Sequence, residues 1–162
     1  KVVFPLDILP LIPLGSALFH AAISTLVLLL AQLIVLGSIP WTFWMLPLVL
    51  LPLLVLAMGI SWLLASLGVF LRDIGQTMGL IATMLLFLSP IFYPISALPE
   101  NFHGLIHANP LTFIIEQVRL VLLQGQLPDV AGLIKYLIVS LLVAWLGFAW
   151  FQKTRKGFAD VL

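Results

Sequence analysis

The apolar residues of this 162-residue chain gather in four long runs, residues 14–37, 45–70, 75–98 and 131–151, and Lys135 is the one formal charge inside any of them. Each run is at least as long as the roughly 20 residues a helix needs to cross about 30 Å of hydrocarbon. The pattern predicts an all-α membrane protein: four transmembrane helices in one transmembrane domain over residues 1–162, joined to a short external re-entrant or interfacial helical hairpin. The first thirteen residues carry Pro5, Pro10 and Pro13 with two charges, so they read as an irregular or interfacial lead-in.

Within the runs, polar and small residues mark the exceptions. The first span holds His20, Ser24, Thr25 and Gln32, and the link GSIPWTFW after it has the Gly, Ser and Pro of a tight turn with two tryptophans suited to the headgroup level. Pro47 and Pro52 fall in the early turns of the second span, where Pro52 is expected to bend it slightly. Ala57, Ser61, Ala65 and Gly68 line up along one stripe of that span, and the reading is close helix packing.

The third run is the unusual one. It starts at a charged turn, Arg72–Asp73, places Gly75 and Gly79 in its first turns, and is then divided by Pro90 and Pro94. Each proline removes a backbone hydrogen bond that lipid cannot replace, so something other than lipid is expected to cover the break. Residues 99–128 follow as the only long segment of mixed polarity. Pro99 opens one short amphipathic helix, with Phe102, Leu105 and Ile106 opposite Glu100, His103 and His107. A second helix is capped by Asn109, begins at Pro110 and ends at Gly125; about fifteen residues reach only about 22 Å, too short to span. Thr112, Glu116 and Arg119 form its polar stripe, and Glu116 has the spacing to pair with Arg119.

Composition and charge add orientation and exclusions. At 63% hydrophobic and 8% charged residues with a mean hydropathy of +1.26, the chain cannot cover a soluble globule with polar surface. A net charge of +1 offers nothing to nucleic acid, and the lack of cysteine excludes disulfides, thiolate metal sites and cysteine nucleophiles. Lys153, Arg155 and Lys156 cluster just past the last span, which places the C-terminus in the cytoplasm; four crossings then put Lys1 and Arg72 inside and residues 99–128 outside. A start at Lys1 rather than Met, with no signal pattern, leads to the expectation of the C-terminal part of a longer protein.

Chemistry-bearing motifs are scarce: there is no phosphate-binding G-x-x-x-x-G-K-[ST] loop, no G-x-S-x-G, no H-E-x-x-H and no dinucleotide fingerprint. An energy source is therefore expected on another chain. Glu100, His103 and His107 share one helix face, read either as a metal or acid–base cluster or as the polar side of an external helix; no metal, cofactor or catalytic residue is assigned. Arg72 with Asp73 is a coupling contact or a solvated turn, and Phe87, Phe92 and Tyr93 stack on a sugar ring or serve packing and the aromatic belt.

Phe4–Pro5, Arg72–Asp73, the LSPIFYP at 88–94, the NPLT at 109–112, then Arg119, Gly125 and the FAD at 158–160 occur in an order that resembles the permease subunit of bacterial ABC exporters for polysaccharide and polyol phosphate. The resemblance implies a multi-pass inner-membrane permease that pairs with a second copy around a polymer conduit, contacts membrane lipid and is powered by a separate ATPase subunit. It implies export of O-antigen, capsule or teichoic-acid polymer, with the hairpin as short gate helices at the outer face. Gate and conduit candidates are then Phe87, Pro90, Phe92, Tyr93, Pro94, Glu116 and Arg119, and coupling-side candidates are Arg72 and Asp73. A drug or small-lipid exporter and a membrane enzyme using Glu100, His103 and His107 are the alternatives.

Overall fold

The computed structural model describes residues 8–71, 73–91, 93, 99, 104, 106, 108–155 and 157, and all regular structure among them is helical. Helix α1 covers Leu11–Leu36, a 3-10 turn covers Trp41–Met45, and α2 continues from it as Leu46–Phe70. Helix α3 is Ile74–Leu88, α4 is Pro110–Arg119 running on into a π-helical turn at Leu120–Gln124, and α5 is Val130–Thr154. Three stretches are long and apolar enough to cross a membrane: α1, the Trp41–Phe70 run and α5. At 15 residues α3 is shorter, rising about 22 Å against the roughly 30 Å of a hydrocarbon core.

Two boundaries depart from the sequence pattern. Helix α1 is already formed at Leu11, with Pro10 as its N-cap and Pro13 as its third residue, so the lead-in expected to be irregular through residue 13 is partly helix. Prolines are tolerated there because first-turn N–H groups have no intrahelical acceptor to lose. In the third run, expected over 75–98 and divided by Pro90 and Pro94, the helix stops at Leu88, one residue ahead of the first break: Ser89 leaves helical geometry with ψ 138°, and Pro90, next along, has no N–H with which to continue. At the end of α1, Gly37 turns left-handed (φ 70°) and its N–H closes onto the Leu33 carbonyl at 3.1 Å, which a residue with a Cβ would adopt only under strain.

The centre of the molecule is the packing of α2 against α5. Val49 clusters with Leu133, Gly59 meets Ala144 and Gly147, and Trp62 sits edge-on to Phe148 at 5.0 Å, so the two helices run in the same direction. Their buried residues recur every seven positions, Pro52, Gly59 and Ser66 on α2 with Leu133, Ser140 and Gly147 on α5, the spacing that keeps one seam facing its partner along two aligned helices. A Cβ placed on Gly59 would lie 2.6 Å from the Ala144 Cα, and Gly147 meets the Gly59 backbone in the same way, so the backbones touch where small residues face each other. This corrects the expected stripe. Ala57, Ser61 and Ala65 are only half-buried and Gly68 is exposed with open space around it, because the tight seam sits one face over.

Helices α1 and α3 pack loosely by comparison. Gln32 is the only buried residue of α1, α3 has none, and between α1 and α2 an apolar groove of about 440 Å³ opens beside Phe43 and Trp44. The bundle nevertheless has two distinct ends. One gathers the C-terminal ends of α1 and α3, the 3-10 turn, α4 and the start of α5. The other gathers the α2–α3 turn and the end of α5, where Gly157 lies beside Phe70.

Candidate functional site

The broken end of α3 and the hairpin helix α4 form a single polar assembly at the first of these ends. Asn109 begins it: its Oδ1 accepts from Leu111 N at 2.9 Å, capping α4, and Pro110 occupies the first helical position, where its missing N–H is no loss. The same amide turns its Nδ2 to the Ser89 hydroxyl at 2.9 Å. Ser89 in turn folds its Oγ back onto the Leu85 carbonyl at 2.6 Å, one turn earlier in α3. Arg119, one helix length further on, donates from Nη2 to the Pro90 carbonyl at 2.8 Å. The break is thus covered by α4, and both Ser89 and Pro90 are fully buried.

Past Arg119 the helix widens into the π turn and ends at Gly125, left-handed at φ 66°, whose N–H reaches back to Leu120 O. The last carbonyls of such a segment have no intrahelical donor. Here side chains from distant elements supply them: Thr42 Oγ1 donates to Val121 O at 2.6 Å, and Gln32 Nε2 donates to Leu122 O at 2.7 Å. Both Thr42 and Val121 are 0% exposed. Three further ties hold α4 to its surroundings. Tyr136 of α5 donates to Pro110 O at 2.8 Å while its ring stacks on Phe113, Thr112 donates to Ile106 O at 2.6 Å, and Asp129 N donates to Gln117 Oε1 at 2.7 Å. An unpaired backbone group in hydrocarbon costs several kcal/mol, so this capping is what permits irregular backbone at such a depth.

Of the residues singled out from the sequence, the structure brings Pro90 and Arg119 into direct contact and joins Tyr93 to Phe87, the Tyr93 hydroxyl donating to Phe87 O at 3.0 Å. The Phe87 ring itself is 71% exposed and Glu116 is half-buried. The expected Glu116–Arg119 pair does not form, because the guanidinium is directed to the Pro90 carbonyl instead. Asp73 lies at the opposite end of the bundle as the N-terminal flank of α3, its carbonyl accepting from Thr77. Arg72, Phe92, Pro94, Glu100, His103 and His107 lie outside the described residues, and among the described residues no three His, Asp or Glu side chains gather as a metal site would require. Among the described residues its chemistry is the satisfaction of backbone carbonyls by side-chain donors.

Gln32, Thr42, Ser89, Gln117 and Tyr136 were not marked as site residues by sequence reasoning. The available signal was polarity in an apolar context: Gln32 interrupts the apolar last turns of its helix, and a side-chain amide inside a membrane span requires a partner.

Residues 1–123 match the family described as "ABC-2 type transporter". Among curated relatives, an O-antigen export system permease protein RfbA of Klebsiella pneumoniae is 29% identical over 165 residues, covering 100% of this chain and 62% of that protein. One from Myxococcus xanthus is 27% identical over 167 residues, covering 99% of this chain and again 62% of the relative. The chain therefore spans somewhat less than two thirds of the length of the relatives it matches.

Proposed function

The chain belongs to the ABC-2 type transporter family, and on that premise we propose that it is the permease portion of an exporter carrying a polysaccharide or polyol-phosphate polymer across the bacterial inner membrane. Its similarity along its whole length to proteins named as O-antigen export permeases supports the substrate class. The observation that carries the reading is the hairpin: a helix too short to span, seated with its polar caps in the break of another helix, is the arrangement that lets irregular backbone line a conduit. In this reading the third apolar run serves as a fourth crossing, the hairpin end faces outward as a gate, and Phe87, Phe92 and Tyr93 edge the conduit mouth. Arg72 and Asp73, at the other end, face a separate ATPase subunit in the cytoplasm, and a second permease copy closes the conduit.

The test is complementation. The full-length protein, expressed with its ATPase subunit in a bacterium whose own O-antigen permease is deleted, is expected to restore polymer at the cell surface and to co-purify with that ATPase. Polymer retained inside the cell despite a normal amount of assembled complex would remove the polysaccharide reading and favour a small-molecule substrate.

A further inference from the structure

We propose that Gln32 and Thr42 are positioning residues that hold the π turn at Leu120–Gln124 in its seat, and that release of this two-point latch is the movement that opens the hairpin. The inference rests on the exporter reading for what the hairpin closes, but its physical basis is independent of the substrate. The hydrogen bonds joining the C-terminal half of the hairpin to α1 and to the 3-10 turn fall on two adjacent carbonyls, Val121 O and Leu122 O, beside the apolar packing of Val121 in the core next to Met45. Both donors come from side chains rather than from a continuous helix ladder, so the turn can leave its seat without unravelling any helix that provides them.

Three features make the seat reversible. The turn is π-helical, a geometry whose wider ring holds the chain less firmly than α-helix and recurs where helices bend in function. Gly125 follows at once in left-handed conformation, with only the Pro40 Cβ near it, at 3.6 Å from where a side chain would start, so a pivot lies next to the latch. The Gln32 amide is only half engaged: Nε2 is committed to Leu122 O, while Oε1 is buried with no protein donor among the described residues. A tie that leaves its own acceptor unpaired is weaker than a fully satisfied one, which suits a contact that must be made and broken. By contrast α4 itself, as far as Arg119, is held by Asn109, Gln117, Arg119 and Tyr136. The π turn is therefore expected to swing as the moving end about the anchored α4.

The full-length permease with its ATPase subunit, reconstituted in vesicles loaded with a small water-soluble dye, tests this. Thr42→Val combined with Gln32→Met removes both donors at nearly unchanged size, and is expected to raise dye release without ATP several-fold over the parent; Thr42→Ser, which keeps the hydroxyl, should stay tight. In a complex whose cysteines outside this cysteine-free chain have been replaced, Thr42→Cys with Val121→Cys can be joined by a short bis-methanethiosulfonate, which forms a disulfide with each thiol and releases two sulfinates. The joined complex is expected to lose ATP-driven release and to regain it on treatment with dithiothreitol, so the reduced sample serves as its own folding control. Tight vesicles from the double-donor variant at normal abundance, or a joined complex that works as well as the reduced one, would overturn the latch. Neither readout involves polymer, so a complex that gates dye yet restores no surface polymer would sink the substrate reading and leave the latch standing.

Discussion

A methyl group added at Gly59 has nowhere to go: it would stand 2.6 Å from one backbone atom of α5 and 2.7 Å from the next, and neither belongs to a flexible side chain. Gly59→Ala is therefore expected to lower the stability of the purified full-length protein by about 1–3 kcal/mol, the usual cost of overpacking a close contact. Gly68→Ala, on the same helix but facing open space, should leave it unchanged or raise it by about 0.5–1 kcal/mol through helix propensity. Thermal unfolding in detergent, followed by tryptophan fluorescence, compares the two; equal losses would show that the α2–α5 seam is not where Gly59 and Gly147 place it. The pair also shows what single residues reveal in advance. Both glycines were visible in the sequence, but α2 is apolar on every side, so polarity did not indicate which of its small-residue stripes meets a partner. The latch residues were hidden for a different reason: Gln32 meets an acceptor 90 positions away and Thr42 one 79 positions away, separations that no local pattern encodes.

At the scale of elements, the features legible beforehand were those written in backbone chemistry. Asn109, Pro110 and Gly125 set the beginning and end of the hairpin helix because each alters a specific backbone hydrogen bond or dihedral, and the structure starts at Pro110 and caps at Gly125 accordingly. Pro90 foretold the end of α3 by the same logic, though not that Ser89 would bond back to Leu85 O and Arg119 reach the Pro90 carbonyl. A prediction follows from that capping. Pro90→Ala together with Pro94→Ala should let α3 run on as continuous helix, which carries the Pro90 carbonyl into the helix ladder and away from Arg119. Export of polymer is expected to fall while the amount of permease in the membrane holds, since removing proline restores backbone hydrogen bonds that insertion favours. Surface polymer measured against permease level decides; normal surface polymer in the double variant would show that the break is incidental to transport.

For the whole molecule, alternation of apolar runs and charged turns was enough to foresee a helical membrane bundle, and the structure sorts those turns onto two ends. The α2–α3 turn and the close of α5 share one end, and the hairpin lies at the other. Which end faces the cytoplasm rests on charge alone. Lys153 and Arg155 follow the last apolar residues of α5, and cations close to a membrane-spanning segment are retained on the cytoplasmic side. The bundle then transmits that choice, because α2 and α5 run in the same direction and α3 returns between them. A cysteine placed at Gly157, which sits near Phe70, should react with a membrane-impermeant maleimide only in inverted vesicles. A cysteine at Gly104, ahead of the hairpin helix, should react only in intact spheroplasts. The chain has no other cysteine to obscure either signal. Labelling of both positions from one side would mean that an even number of crossings lies between Gly104 and Gly157, so that either α5 does not cross or the hairpin helix crosses with it, and the four-crossing topology would fall.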